Sequence, residues 1–261
     1  MPTSPAPVRI AVTRQVSPAM ERCELTHLQR IPIDIGRARK QHLGYEQALR
    51  RLGCRVETLP EEPELPDSVF VEDVAIVLDE LAVITRPGAP SRRPEISSIA
   101  DVLARYRKLV RIEAPGTLDG GDVLRVDRTL YVGVSSRSNR EAIGQLSALL
   151  LPLGYRVQPV AVRGCLHLKT AVTQVADDQL LINPHWVDRK EFSGMQYIEV
   201  DEAEPLGANA VMVGNGVIYP ASHRRTAERL QRHGIRVHAV EMSEMEKAEG
   251  GVTCCSLLFS G

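Results

Sequence analysis

Aromatic side chains are scarce in this chain: three Phe, one Trp and six Tyr, 4% of 261 residues. So few rings leave no stacking platform for bases and speak against a reader of nucleic acid. Charge of one sign is also missing. Lys and Arg number 32 against 33 Asp and Glu, a net charge of −1, so nothing draws the chain to a polyanion or an anionic membrane. A local excess of one sign around a small ligand remains compatible with that balance. Five cysteines are present, yet no CxxC occurs and the one tight pair, Cys254-Cys255, is adjacent. That spacing fits neither a disulfide framework nor a zinc ribbon. The opening segment MPTSPAPVRIAV lacks a basic region followed by an apolar run, and no apolar stretch reaches the roughly 18 residues of a membrane helix. The expectation is a reduced, cytoplasmic protein without a membrane partner.

What is present is a repeat. An apolar strand, a tight turn and a second strand lead into an amphipathic helix and then a third strand. One copy is FVEDVAIVLDELAVITRP with a helical run from Ser91 to Tyr106 and LVRIEA. Another is LDGGDVLRVDRTLYVGVS, a helix from Asn139 to about Pro152, and RVQPVAV. HLKTAVTQVADDQLLINP begins a third, with a shorter helical part and MQYIEV as its close. GANAVMVGNGVIYPAS, a helix from about His223 to His233, and RVHAVEM form the fourth. LDE, VDR, ADD and GNG are the polar or glycine-containing breaks that hairpins need. A fifth unit is divided between the termini. VRIAVTR, a helix from about Ile35 to Leu52, and CRVETL lie at one end, and GVTCCSLLFS supplies the missing strand from the other.

Matched positions in the five units are Asp73, Asp119, His167, Asn209 and Cys254, at separations of 46, 48, 42 and 45 residues. If the units close into a ring, equivalent positions converge on its axis, and four groups able to do chemistry become one cluster. Taken alone, Cys254 and Cys255 read as packing thiols on opposite faces of an apolar strand. The preceding Gly250-Gly251, which allows close approach of backbone to a ligand, and the repeat position favour Cys254 as a nucleophile. His167, flanked by leucines at a strand start, would supply acid and base near neutral pH. Asp119, in TLDGGDVL, could orient the imidazole. The remaining histidines sit in polar or helical contexts and read as surface. Asp67, Glu72 and Asp73 lie in the apolar stretch PDSVFVEDVA, where burial is costly without a cationic partner; the fork of a guanidinium suits them. Arg92 and Arg137 stand where hairpins pass into helices, unhelpful to the dipole, and are candidates for a substrate carboxylate.

Together the segments LPDSVFVEDVA, ITRPGAPSRR, TLDGGDVL, VGVSSRSN, LHLKTA and SEMEKAEGGVTCCSL resemble the dimethylarginine dimethylaminohydrolase family of the guanidine-modifying pentein superfamily. The resemblance runs from about Leu65 to the end; the helix GRARKQHLGYEQAL matches more weakly. It implies an α/β fold, a five-bladed α/β propeller of ββαβ units, with residues 1–261 as one catalytic domain. It implies a Cys–His–carboxylate arrangement on Cys254, His167 and Asp119. Glu72 and Asp73 would take the guanidinium, with Asp67 at a further substrate position and Arg92 and Arg137 on the substrate carboxylate. Leu25 would lie in a mobile lid loop, and the Ala248 backbone would contact the substrate's amino end.

The chemistry expected is hydrolysis of an N-methylated arginine to citrulline and a methylamine through a thiouronium on Cys254. It needs no metal and no cofactor. The partner is a small guanidinium amino acid, and a homodimer is the ordinary expectation. Rival readings are a deiminase that releases ammonia and a non-enzymatic pentein that binds ribosomes. The two arginines favour a substrate with an α-carboxylate, and the retained Cys, His and acids argue against a mere binding protein.

Overall fold

The computed structural model describes residues 8–261. Its strands form five separate three-stranded sheets. In each, the middle strand runs antiparallel to the first and parallel to the third. The sheet from the two termini shows this clearly: Ala11 pairs antiparallel with Leu258 and parallel with Val56. Leu257–Ser260 is therefore the first strand, Arg9–Arg14 the second and Arg55–Leu59 the third, with the helix Ile35–Arg51 between the last two. The split fifth unit exists as expected; because it holds the N-terminal strand it is counted as the first blade, and the others follow in chain order as the second to the fifth.

Alternation on the middle strands explains why five small sheets make one ring. In Leu81–Ile84, Val83 faces the second-to-third blade interface, whereas Ala82 and Ile84 face the first-to-second. In Gln179–Ile182, Leu181 packs toward the fifth blade while Leu180 and Ile182 pack toward the third. Ile10 and Val12 look toward the second blade and Ala11 toward the fifth. Each middle strand is thus buried on both faces and reads as a continuous apolar run. Five apolar clusters join successive blades, and the cluster joining the fifth to the first closes the circle. The first strands lie innermost, around an axial chamber of about 540 Å³ lined by parts of 75–79, 123–127, 173–177, 210–212 and 256–260.

The helices follow their local signals. Asp34 and Asn139 cap Ile35–Arg51 and Arg140–Leu150 through side-chain bonds to the N–H groups of Arg37 and Ala142. The run from Ser91 begins as a 3-10 turn, Pro90–Glu95, because Pro94 interrupts it, and becomes α-helical only over Ile96–Leu103. In the fourth blade the helical part shrinks to the single turn Arg189–Glu191. No helix among the described residues is long and apolar enough to cross a membrane.

Three local expectations require correction. Cys254 and Cys255 do not belong to a strand; they lie in a turn, and the strand starts at Leu257. His167 likewise precedes a one-turn helix, Leu168–Ala171, which precedes the strand Val172–Ala176. The same device recurs in Val71–Val74 and Gly120–Asp122. Each repeat position therefore sits in or beside a tight turn at the mouth of its blade, where a side chain can point along the axis. His42 is also misjudged as surface: it is 3% exposed on the inner side of its helix, beside Glu46.

Candidate active site

At the mouth of the ring, Asp67, Phe70, Asp73, Arg92, Arg137, Leu166, His167, Ala248 and Cys254 surround one small cavity. The turn Gly120–Asp122 lies against two of these side chains, Asp73 and His167. Gly121 N–H donates to Asp73 Oδ1 at 3.0 Å, and a Cβ on Gly121 would come within 2.6 Å of His167 Nδ1. Only glycine lets the imidazole lie that close, which accounts for the Asp-Gly-Gly sequence.

His167 Nε2 meets Asp119 Oδ2 at 3.0 Å, and its Nδ1 lies 3.9 Å from Asp73 Oδ1. Asp119 is fully buried and also accepts from the Gly88 N–H at 2.8 Å. Asp122 is the deeper support: it accepts from the Ser135 and Ser138 hydroxyls and from the Leu168 N–H, which ties down the backbone beside His167. Burial alone would depress the imidazole pKa, but Asp73, the bond to Asp119 and the charge of Asp122 outweigh it and push His167 up to about 9. The group is an imidazolium at neutral pH.

Cys254 is half-buried, and the Gly251 N–H donates to its Sγ at 3.3 Å. Burial, reinforced by Glu72 and Asp73, pushes its thiol up to about 12. The resting pair is thus a neutral thiol and a charged histidine. Cys255 points the other way, fully buried in the cluster between the first and fifth blades. Cys23, Cys54 and Cys165 are free and buried.

The acids and arginines depart from expectation in detail. Asp73 lines the cavity, but Glu72 does not. Its Oε1 meets Lys169 Nζ at 2.5 Å, its Oε2 accepts from Thr253 Oγ1 at 2.8 Å, and it borders the axial chamber instead. Adjacent residues on the turn Val71–Val74 point apart, so one carboxylate faces the small cavity and the other the axial chamber. Burial raises the Glu72 pKa, opposed by Lys169. The Arg92 guanidinium is 4% exposed and largely engaged by its own chain. It binds Asp73 and Glu95 and donates to the carbonyls of Asp67 and Phe70. Its five N–H groups leave one Nη1 proton for a ligand. For Asp73, burial would raise the pKa, but His167 and Arg92 hold it below the usual carboxylate range. Arg137 is freer, with a 3.1 Å bond from Nη2 to Thr26 Oγ1 and a 3.9 Å approach to Asp119.

The loop over the cavity is closed. Glu24 N–H donates to the Asp67 carboxylate at 3.1 Å, and the N–H groups of Thr26, His27 and Leu28 all reach the Glu249 carboxylate. Glu249 itself has φ of 58°, an uncommon conformation for a residue other than glycine. Leu25 is half-buried against the core between the first and fifth blades, and Glu24 rather than Leu25 lines the cavity. The free space beneath is about 20 Å³, room for a water molecule and not for an amino acid. Entry requires the loop to lift.

Asp73, Asp119 and His167 each bring one ligand atom within 4.8 Å of the others. A cation held by all three would have to displace a proton from His167 and compete with Arg92 for Asp73. Sequence reasoning passed over Lys169, Thr253, Glu95 and Glu249. The first two stand within two residues of His167 and Cys254, a proximity that could have flagged them; Glu95 and Glu249 carry no signal of their own.

Known proteins resemble this chain in sequence and in fold. A family model described as "N,N dimethylarginine dimethylhydrolase, eukaryotic" matches residues 22–258. The chain is 40% identical over 228 residues to the N(G),N(G)-dimethylarginine dimethylaminohydrolase of Pseudomonas aeruginosa, covering 87% of this chain and 90% of that protein. Identity is also 40%, over 255 residues, to the protein of the same name from Streptomyces coelicolor, covering 96% and 97%. A solved structure of the Pseudomonas aeruginosa enzyme, a cysteine-to-serine mutant complexed with citrulline, matches with a TM-score of 0.93 at 36% identity, covering 97% of this chain and all of that one.

Proposed function

Since this chain belongs to the dimethylarginine dimethylaminohydrolase family, we propose that it hydrolyses N-methylated arginine to citrulline and a methylamine with Cys254 as nucleophile. The observation that carries the reading is the convergence of Cys254, His167 on Asp119, and Asp73 on one cavity from four different blades. Residues 1–261 act as one catalytic unit in the cytoplasm, as a homodimer in the ordinary case.

The loop over 24–28 lifts, and the substrate side chain enters beside Phe70. Asp73 accepts N–H bonds from the guanidinium, while Arg137 and the remaining Arg92 proton take the α-carboxylate. Asp67, once released by the Glu24 N–H, and the Ala248 carbonyl receive the α-amino group. Leu25 closes over the top with the loop. Glu72 acts at one remove, as negative charge behind the thiol.

A guanidinium carbon is a poor electrophile, and a soft thiolate suits it. The arriving cation offsets the charges of Glu72 and Asp73 that hold the thiol proton, so Cys254 loses that proton to solvent as substrate seats. Sγ then bonds to the guanidinium carbon. His167 donates its proton to the methylated nitrogen, the C–N bond breaks, and the amine departs, leaving a thiouronium. Neutral His167 next takes a proton from water, and the oxygen adds to the same carbon. The C–S bond breaks with its electron pair on sulfur, and citrulline forms as the released amine carries away the surplus proton. His167 ends as the imidazolium from which it started.

The test is citrulline release from asymmetric dimethylarginine, monomethylarginine and arginine side by side. Cys254→Ser should abolish it and Cys255→Ala should largely spare it. Equal rates on unmethylated arginine would transfer the reading to a deiminase, and an active Cys254→Ser would remove the nucleophile assignment.

A further inference from the structure

Of the five equivalent axial positions, four carry acids, a histidine or the thiol; the fifth blade carries Asn209, which the reaction above does not use. It is 6% exposed, directly after the turn that enters the strand Val211–Val213. Its carboxamide has no freedom of orientation. Oδ1 accepts from the Thr253 N–H at 3.0 Å, which can only donate, and Nδ2 donates to the Lys169 carbonyl at 3.0 Å, which can only accept. The second Nδ2 proton goes to Thr253 Oγ1 at 2.9 Å. Because that hydroxyl receives a proton from Asn209, its own is directed to Glu72 Oε2 at 2.8 Å.

The same carboxamide bears on Gly251. A Cβ there would stand 2.3 Å from Asn209 Oδ1, so the Gly251 backbone lies directly on the amide. Gly251 N–H is the group that donates to Cys254 Sγ, and Thr253 Oγ1 lies 4.0 Å from the same sulfur.

We propose that Asn209 is the positioning residue of the nucleophile: it fixes the 251–254 turn so that the Gly251 N–H meets Cys254 Sγ, with the Thr253 hydroxyl held on Glu72 beside it. The inference rests on the assignment of Cys254 as nucleophile. Aspartate, the nearest isostere, cannot substitute. It would set a carboxylate against the Lys169 carbonyl and reverse the Thr253 hydroxyl, which would then leave Glu72. Alanine would free the turn altogether. The charged groups that line the cavity with Cys254, namely Glu24, Asp67, Asp73, Arg92, Arg137, His167 and Glu249, with Glu72 and Lys169 on the side of the axial chamber, are unaltered in sequence in either variant.

The experiment measures two things on the full chain: kcat and KM for citrulline release, and the pH dependence of Cys254 alkylation by iodoacetamide, located by peptide mass spectrometry. Asn209→Asp and Asn209→Ala should lower kcat about tenfold, the worth of one buried hydrogen bond, with KM changed far less. The alkylation midpoint should rise by about one pH unit. Thr253→Val should reproduce both effects, and Thr253→Ser, which restores the hydroxyl, should reverse them. A merely space-filling Asn209 would leave the alkylation profile where it is in wild type, and that result overturns the proposal. Should the Asn209 variants fail to fold, Thr253→Val decides alone, by a shifted or an unshifted profile. An active Cys254→Ser would instead defeat the nucleophile assignment itself, so the two failures are distinct.

Discussion

Replacing Asp119 by Asn perturbs one hydrogen bond and one charge while keeping the shape of the side chain and its bond from the Gly88 N–H. In the native site, raising His167 from 6.5 to about 9 corresponds to roughly 3 kcal/mol in favour of the imidazolium, at about 1.4 kcal/mol per pH unit. Asp73 is the largest contributor to that rise and Asp119 the next. A hydrogen bond to a charged group contributes about 1.5–3 kcal/mol, so loss of Asp119 should lower the His167 pKa by one to two pH units. A folded-state pKa above the unfolded value means that the native state holds the proton more tightly. That stability is fully present below pH 6.5 and is lost as pH rises through about 9. Urea unfolding of the wild type and Asp119→Asn should therefore differ by about 2 kcal/mol near pH 6 and by much less near pH 10. Taking the difference between the two proteins removes the contribution of Glu95, which burial lifts to about 7 and which titrates in the same range. An equal difference at both pH values would show that Asp119 acts on His167 by packing alone and would refute the electrostatic account.

The loop and the buried arginine offer two further checks. Glu249→Gln should weaken the hold on the Thr26, His27 and Leu28 amides, raising their hydrogen-exchange rates about tenfold; unchanged exchange would mean that the loop is held elsewhere. Arg92→Ala leaves Asp73 and Glu95 buried without their cation and should cost about 3–5 kcal/mol in urea unfolding, whereas a loss below about 1 kcal/mol would mark the cluster as solvated.

Much of this architecture is written in periodicity. Apolar runs, polar turns and a spacing near 45 residues report backbone geometry directly, because strand and helix repeats depend on near neighbours. Five units, the split first blade and the axial positions follow from that spacing alone. So does the choice of Cys254 over Cys255, which rests on the repeat position, although the strand expected to carry the two thiols on opposite faces is replaced by a turn that points one into the cavity and the other into the core.

Side-chain partners lie outside the reach of such a reading, since ring closure brings together residues more than a hundred positions apart. Glu72 and Asp73 are neighbours in the chain and look alike there. Only the fold turns one toward Lys169 and the axial chamber and the other toward the cavity. Arg92 reads as a free cation, yet three elements deliver two carboxylates and two carbonyls to it. Glu249 and the loop at 26–28 are some 220 residues apart and meet because both ends of the chain build the first blade. Asn209 shows the division most plainly. The repeat places it on the axis, and only the tertiary structure assigns its amide to Thr253, Lys169 and Gly251, because a carboxamide has no function until donors and acceptors are fixed around it.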